Sequence, residues 1–361
     1  SKFSPPARRP MDIQVLIAVA AFPDLEGRTT IWPLTDCGGF SGVQLWRLTT
    51  PRGEFLLRCW PAEQTEGERL RWVHAAIHFA ATHGFTRLAD PLPTQQGDTL
   101  LWLGQRFWEA APWLPGEADF RQAPRLNKLR AAAMALAEFH VAIAGFEPDT
   151  AKQPMPGIRE RNVRIRQWLD GRLDQLQQAV EQAGRTAGEE DELLRLARQI
   201  LASAPAVMQV ILDSLTSAMT YRQTLQPCLR DIWYQHVLFQ GDEVTGLIDY
   251  GAMHRDSIAT DIARLIGSLA GDETVGWQAG LDAYQTVRRL SPMERGLIAA
   301  YDLSSILLAP LNWLDWLYLE QRTFRDPAAV LERLRELSIR LRHLHERLDE
   351  RLDFPHYDQT T

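Results

Sequence analysis

Lysine is nearly absent from this chain: of 39 basic residues only Lys2, Lys128 and Lys152 are lysines. Cysteine is also scarce. Cys37, Cys59 and Cys228 are odd in number and widely spaced, which excludes both a disulfide framework and a cysteine-rich metal knuckle and points to a reducing compartment, the cytoplasm. Long apolar runs are missing too. Ile13–Phe22 is short, starts after Asp12 and contains Gln14, so it reads as a short amphipathic helix, and no other window reaches the length of a membrane span. The net charge of −7 lacks the basic excess that a nucleic-acid partner requires. There is no internal repeat and no low-complexity tract. What remains is an ordinary globular composition, 45% hydrophobic and 24% charged, in 361 residues, enough for two lobes with separate cores.

The informative segment is Cys228-Leu-Arg-Asp231-Ile-Trp-Tyr-Gln-His236-Val-Leu-Phe239, followed by Thr245-Gly-Leu-Ile-Asp249-Tyr-Gly251. An acid in a loop precedes a short apolar strand. A turn at Gln240-Gly-Asp-Glu243 leads into a second apolar strand that ends in Asp-aromatic-Gly. Two carboxylates, Asp231 and Asp249, thereby reach the mouth of one β-hairpin. Phosphoryl transfer needs such a pair: one to accept the proton of an attacking hydroxyl, the other to hold the Mg²⁺ that neutralises phosphate charge.

Upstream, Thr29–Leu34, Val43–Leu48 and Glu54–Cys59 read as strands, the last two joined by the turn Thr50-Pro-Arg-Gly53. Asp36-Cys-Gly-Gly39-Phe-Ser41-Gly42 forms a glycine-rich turn, either a plain hairpin or a loop whose backbone N–H groups approach phosphates. Glu63–His83 has helical spacing at Leu70, Val73, Ile77 and Ala80. Strands at Thr99–Leu103 and Gln105–Trp108 precede a rigid connector, Glu109-Ala-Ala-Pro-Trp113-Leu-Pro-Gly116. From about residue 117 the chain reads as helical, with helices at Leu126–Ala144, Ile158–Ala183, Glu189–Ala202 and Ala206–Thr220 before the carboxylate hairpin. Asp256 and Ser257 suit a helix N-cap, the alternative for Asp256 being to face substrate. Trp313 and Trp316 share a helix face close to Asp315 and Glu320, which gives either core packing or an aromatic and acidic pocket for a sugar or an ammonium.

Asp231, Trp233, Val237 and Leu238, then Ile248-Asp249-Tyr250-Gly251, then Asp261-Ile-Ala263, resemble in order and spacing the motifs of the aminoglycoside phosphotransferase and choline kinase group. The resemblance is specific over about residues 227–268 and looser from about residue 30. It implies an α+β, bilobal protein-kinase-like fold, with a small β-rich N-lobe over 12–112 and a larger, mainly helical C-lobe over 113–361, after a disordered tail at 1–11. It also implies an ATP- and Mg²⁺-dependent kinase for a small hydroxylated molecule, of the amino sugar, sugar, choline or homoserine type. Carried over by position, Asp231 is the catalytic group and Asp249 a metal ligand. Gly39, Ser41, Gly42, Arg58, Glu68 and Trp113 fall in the nucleotide site, with Glu68 (Glu66 the alternative) pairing Arg58, and with Trp108 and Trp113 either flanking the adenine or packing the lobe interface. Asp261 braces the catalytic loop, and His140 is a core histidine.

The chain departs from the family pattern at three positions. Leu229 stands for the usual His, His236 for the metal-binding Asn, and Arg58 for the phosphate-binding Lys. Arg can bind phosphate through its fork. His236 is a second metal ligand only if an imidazole replaces the oxygen that Mg²⁺ prefers. The open alternative is a pseudokinase, a nucleotide- or protein-binding module without turnover. The short stretch between Gly251 and Asp261 leaves no peptide-docking segment, which speaks against a protein kinase.

Overall fold

The computed structural model describes residues 12–34, 42–62, 66–148, 151–186, 191–324 and 326–349. The chain opens with helix α1 (Ile13–Ala21), capped by Asp12, whose carboxylate accepts from the Gln14 N–H. Val15 and Ala18 bury one face of α1 against the sheet while Ile13, Leu16 and Ile17 stay exposed, as the short amphipathic pattern predicts.

Five antiparallel strands follow: β1 (Thr30–Pro33), β2 (Gln44–Thr50), β3 (Gly53–Cys59), β4 (Leu101–Leu103) and β5 (Arg106–Pro112), in the order β1-β2-β3-β5-β4. The β2–β3 turn closes on Thr50↔Gly53, where Gly53 takes a φ of +136° that a side chain would resist. Inward-facing Leu48, Phe55, Leu57, Trp108 and Ala110 build the core of this sheet. β5 runs four residues beyond Trp108, so Glu109 lies inside a strand and faces Arg58 across the β3–β5 ladder. The expected connector therefore begins only at Trp113; strand pairing overrides the loop-like Ala-Ala-Pro composition.

Helix α2 (Gly67–Thr82) joins the two parts of the molecule. Leu70 packs beneath the sheet with Trp60 and Leu100, whereas Val73, Ala76, Ile77 and Ala80 belong to the helical core. That core is built from α3 (Leu126–Ile143), α4 (Pro156–Gln167), α5 (Leu173–Thr186), α6 (Glu192–Ala218), α7 (Ala259–Ala270), α8 (Thr274–Gln285), α9 (Pro292–Leu314) and α10 (Pro327–Asp349). The architecture is α+β, sheet-rich in its N-terminal part and mainly helical in its C-terminal part.

Two helix boundaries differ from the sequence reading. The single helix expected over 158–183 is split between α4 and α5 by a wide turn, Trp168–Arg172, in which Gly171 adopts a φ of +102°. Conversely, α6 runs unbroken through Pro205 where two helices were expected, because a continuous apolar stripe from Leu194 to Ala218 is buried along its length. Two helices, Glu192–Ala218 and Pro292–Leu319, are long and apolar enough by composition to cross a membrane, which corrects the expectation of none. The second of these is largely buried in the helical core.

Two small sheets sit where the parts meet. β6 (Gln226–Cys228) pairs with β9 (His254–Asp256), and β7 (Val237–Gln240) pairs with β8 (Glu243–Leu247) through the Gly241 turn. Glu117 and Phe239 exchange backbone hydrogen bonds, which ties the strand connector to this hairpin.

Candidate active site

Asp231 lies in the loop between β6 and β7. The loop is braced from below by Asp261, a fully buried carboxylate in the first turn of α7. Asp261 accepts from the backbone N–H of Leu229 at 2.7 Å and of Arg230 at 2.6 Å, and its Oδ2 lies 3.1 Å from His140 Nε2. His140 Nδ1 in turn lies 2.8 Å from the Tyr284 hydroxyl. Burial, outweighing the attraction of Asp261, pushes His140 below the ordinary histidine range, so the imidazole is neutral. Leu229, at the position of the family histidine, buries its side chain in the helical core while its N–H holds the brace.

The brace supports a left-handed backbone at Arg230, φ +63°. Asp231 follows with its side chain 50% exposed, and Arg264 of α7 donates from Nε and Nη2 to its Oδ1 at 3.1 and 2.9 Å. Oδ2 has no hydrogen-bond partner among the described residues. The carboxylate is thus fixed in orientation, with one oxygen free to accept a proton.

Asp249 follows β8 in the same left-handed conformation, φ +65°, and its side chain is also 50% exposed. Its Oδ2 is 3.5 Å from His236 Nε2. The imidazole is already committed on both sides. Nδ1 lies 2.8 Å from the Asp231 backbone carbonyl, which can only accept, and Nε2 lies 2.9 Å from the Trp233 indole N–H, which can only donate. The ring is therefore the neutral Nδ1–H tautomer, and its one lone pair is occupied. The expectation of His236 as a metal ligand does not fit this geometry: the residue works as a strut between Trp233 and the Asp231 backbone. Asp249, an accessible carboxylate, is the residue here that suits a hard divalent cation.

Beyond Asp249, Tyr250 is buried and donates to the Leu247 carbonyl. A side chain at Gly251 would meet the Trp60 ring at 3.0 Å, and Arg69 of α2 donates to the Gly251 carbonyl at 2.7 Å. Sheet, α2 and the Asp249 turn meet at this point.

On the sheet side, Arg58 projects from β3 with its guanidinium 5.0 Å from the Trp60 ring, close enough to Tyr250 for its charge to act on that phenol. Its carboxylate partner is Glu109 at 3.3 Å. Glu68 is exposed in the first turn of α2, so the expected Glu68–Arg58 pair is not formed; the cross-strand neighbour takes its place. Glu109 is buried and also accepts from Trp60 Nε1 at 2.8 Å and contacts His74 Nε2 of α2 at 2.8 Å. Burial alone would raise its carboxyl, but the charge of Arg58 together with His74 and Trp60 holds it down at about 2. The helix therefore reaches Arg58 through His74 and Glu109. Trp113 is half-buried beneath Arg47, whose guanidinium lies 4.5 Å from its ring. Gly42 carries a φ of +72° at the end of the glycine-rich turn; Gly39 and Ser41 lie outside the described residues.

Residues 37–295 match the family model described as the phosphotransferase enzyme family. The chain belongs to the phosphotransferase enzyme family. A homoserine kinase of Rhizobium etli is 27% identical over 254 residues, 68% of this chain and 70% of that one. Among solved structures, an aminoglycoside phosphotransferase of Alicyclobacillus acidocaldarius superposes with a TM-score of 0.57 at 18% identity, covering 96% of this chain and 97% of the other. A spectinomycin phosphotransferase, solved with ADP and spectinomycin, gives 0.64 at 12% identity over 94% and 99%. A microcompartment-associated aminopropanol kinase gives 0.62 at 11% over 97% and 100%. At these identities the structures establish the kinase-like fold.

Within this phosphotransferase, three site residues escaped the sequence reading. Glu109 was hidden by the assumption that β5 ends at Trp108. Arg264 lies one helical step, three residues, beyond Asp261, which was the available signal. Arg69 gave none. Asp256, expected as a cap, is instead a buried hub that accepts from the Gly157 N–H, the Ser257 N–H and the Tyr301 hydroxyl. The aromatic and acidic pocket is not formed either. Asp315 is fully buried between Arg164 at 2.7 Å and Arg172 at 2.6 Å, and Trp313 packs edge-on against Trp316.

Proposed function

We propose that this phosphotransferase transfers the γ-phosphoryl group of ATP to a hydroxyl of a small molecule, in a reaction that requires Mg²⁺. The observation that carries this reading is the pair Asp231 and Asp249. Both are half-exposed at one hairpin mouth, left-handed backbone falls at Asp249 itself and at Arg230 just before Asp231, and His236 lies between the two, bonded to the Asp231 carbonyl and 3.5 Å from Asp249. Strain of this kind costs about 1–3 kcal/mol per residue and persists where the surroundings enforce it, typically at functional sites.

Asp231 orients the acceptor hydroxyl and receives its proton on the oxygen that Arg264 leaves free. The acceptor oxygen bonds to the γ-phosphorus as the bond to the β–γ bridging oxygen breaks, and ADP leaves. Mg²⁺, held by Asp249, would supply neutralisation of phosphate charge. Arg58 serves as the cation toward the phosphates, with Glu109 keeping its side chain in place. Gly39, Ser41 and Gly42 are proposed to cover the phosphates, and Trp113 to lie beside the adenine. Positioning and fixed charge account for catalysis in such a site. The homoserine kinase, aminopropanol kinase and spectinomycin phosphotransferase relatives support a small hydroxylated acceptor.

The pseudokinase reading draws on one observation, the engagement of Arg58 with Glu109 and the stacking of its guanidinium near Trp60. Calorimetric titration of ADP with and without Mg²⁺ tests the nucleotide site. Mg²⁺-dependent binding that weakens at least ~10-fold in Asp249→Ala is expected, and binding indifferent to both Mg²⁺ and that substitution contradicts the assignment.

A further inference from the structure

Several guanidinium groups gather around the loop that carries Asp231. Arg230 precedes it in the loop, Arg264 comes from α7, Arg161 from α4 and Arg333 from α10. Arg264 and Arg333 both approach the Trp233 ring, at 5.5 and 4.9 Å. Most of this charge is matched. Arg230 meets Glu160 and approaches Asp256 at 3.5 Å, Arg333 meets Glu336 at 3.0 Å, and Arg264 meets Asp231 itself.

Arg161 is the exception. Among the described residues no carboxylate lies within ion-pair distance of it. Its Nε is buried with no hydrogen-bond partner, and its one side-chain hydrogen bond, Nη2 to Ser305 Oγ, is long at 3.4 Å. A buried N–H without an acceptor costs about 1–3 kcal/mol. Burial pushes this guanidinium below its ordinary range; Tyr301 and Asp256 oppose that, and the charges of Arg230 and Arg264 add to it. The group remains charged; it lies 5.1 Å from the Tyr301 ring, whose hydroxyl donates to Asp256, itself 3.5 Å from the Arg230 that precedes Asp231.

The acids of the same region are already taken. Asp315 is neutralised by Arg164 and Arg172, Asp302 by Arg340 at 3.0 Å, and Asp256 accepts from two backbone N–H groups and a phenol. Apart from Asp231 and Asp249 themselves, the acid beside this cluster is Glu160, and it is already paired with Arg230.

We propose that the acceptor is a small alcohol bearing a carboxylate, and that this carboxylate is received by Arg161 while the hydroxyl faces Asp231. The proposal rests on the phosphotransferase reading and narrows its substrate class. A guanidinium edge with a free Nε–H is shaped for carboxylate, and such charge-assisted bonds fix orientation as well as affinity. In the transfer the hydroxyl oxygen gains the bond to phosphorus and loses its proton to Asp231, and the carboxylate is unchanged.

The test uses the full chain loaded with Mg²⁺ and ADP and three matched probes: 4-hydroxybutyrate, its neutral amide 4-hydroxybutanamide, and choline. Binding is read by saturation-transfer NMR. ADP affinity is measured in parallel, so that loss of the nucleotide site, which would sink the underlying reading, is seen separately. The expected result is at least ~10-fold tighter binding of the carboxylate than of the amide, the size of one charge-assisted contact. Arg161→Gln should erase that preference with ADP affinity unchanged, and Arg161→Lys should restore part of it. Equal or tighter binding of the amide or choline, no carboxylate binding with ADP bound, or a preference that survives Arg161→Gln overturns the proposal.

Discussion

Substituting Glu109 with Gln removes one charge from a buried network while keeping its size. The wild-type carboxyl is held at about 2 against an ordinary value of 4.5. At 1.36 kcal/mol per pH unit, that difference corresponds to roughly 3 kcal/mol in favour of the charged form in the folded protein. Loss of one partner from a buried ion pair costs about 3–5 kcal/mol, and Gln can still accept one hydrogen bond from Trp60 or His74. We therefore expect Glu109→Gln to destabilise the protein by about 2–3 kcal/mol at pH 7. The folded-state pKa is depressed, so this stability is present above the unfolded value near 4.5 and is lost as pH falls toward 2. At pH 3 the gap between variant and wild type should shrink to about half or less. Urea unfolding followed by tryptophan fluorescence at pH 7 and pH 3 reads both quantities. Equal midpoints at pH 7, or a gap unchanged between the two pH values, would refute the reasoning. Arg58 should also lose its fixed position, so nucleotide affinity should fall together with stability.

Asp261→Asn should cost about 3 kcal/mol in urea unfolding and lower kcat, because the acceptor of two loop N–H groups loses its charge; unchanged kcat would separate the brace from the chemistry. His236→Asn replaces an occupied imidazole by a residue with an oxygen donor. The Mg²⁺ concentration for half-maximal nucleotide binding should fall by about 3- to 10-fold, and an increase would contradict the strut assignment. His140 is held below the ordinary histidine range, so the unfolded chain binds its proton first. The stability contributed by the neutral ring is present above about pH 6.5 and is lost as pH falls below it. The thermal midpoint of wild type should drop faster than that of His140→Gln between pH 7 and 5, and parallel curves would contradict this.

Much of the site was legible because strand and turn chemistry is local. The hairpin carrying Asp231 and Asp249 follows from two apolar runs around Gly241, and the Asp261 brace from its place in the family motif. Arg58 was placed correctly on β3 from the Thr50-Pro-Arg-Gly53 turn. Its partner was missed because cross-strand pairing between residues 58 and 109 is set by sheet order, which no local pattern encodes. Glu68 matched an expectation about the helix, but the helix reaches the sheet through His74. The state of His236 depended on which groups flank each ring nitrogen, a tertiary fact. The Trp313 and Asp315 pocket failed for the same reason: Arg164 and Arg172, more than 140 residues away in sequence, close on Asp315.

The central claim is that Asp231 accepts the proton of an alcohol during phosphoryl transfer. The direct measurement is Mg²⁺- and ATP-dependent phosphorylation of hydroxylated small molecules, including hydroxy acids, by wild type and by Asp231→Asn, with ADP binding recorded for both. The account predicts turnover in wild type, a loss of about 10²–10⁴-fold in the variant, and ADP affinity within about twofold. Equal turnover in the two proteins, or nucleotide binding without turnover of any hydroxylated acceptor, would contradict it.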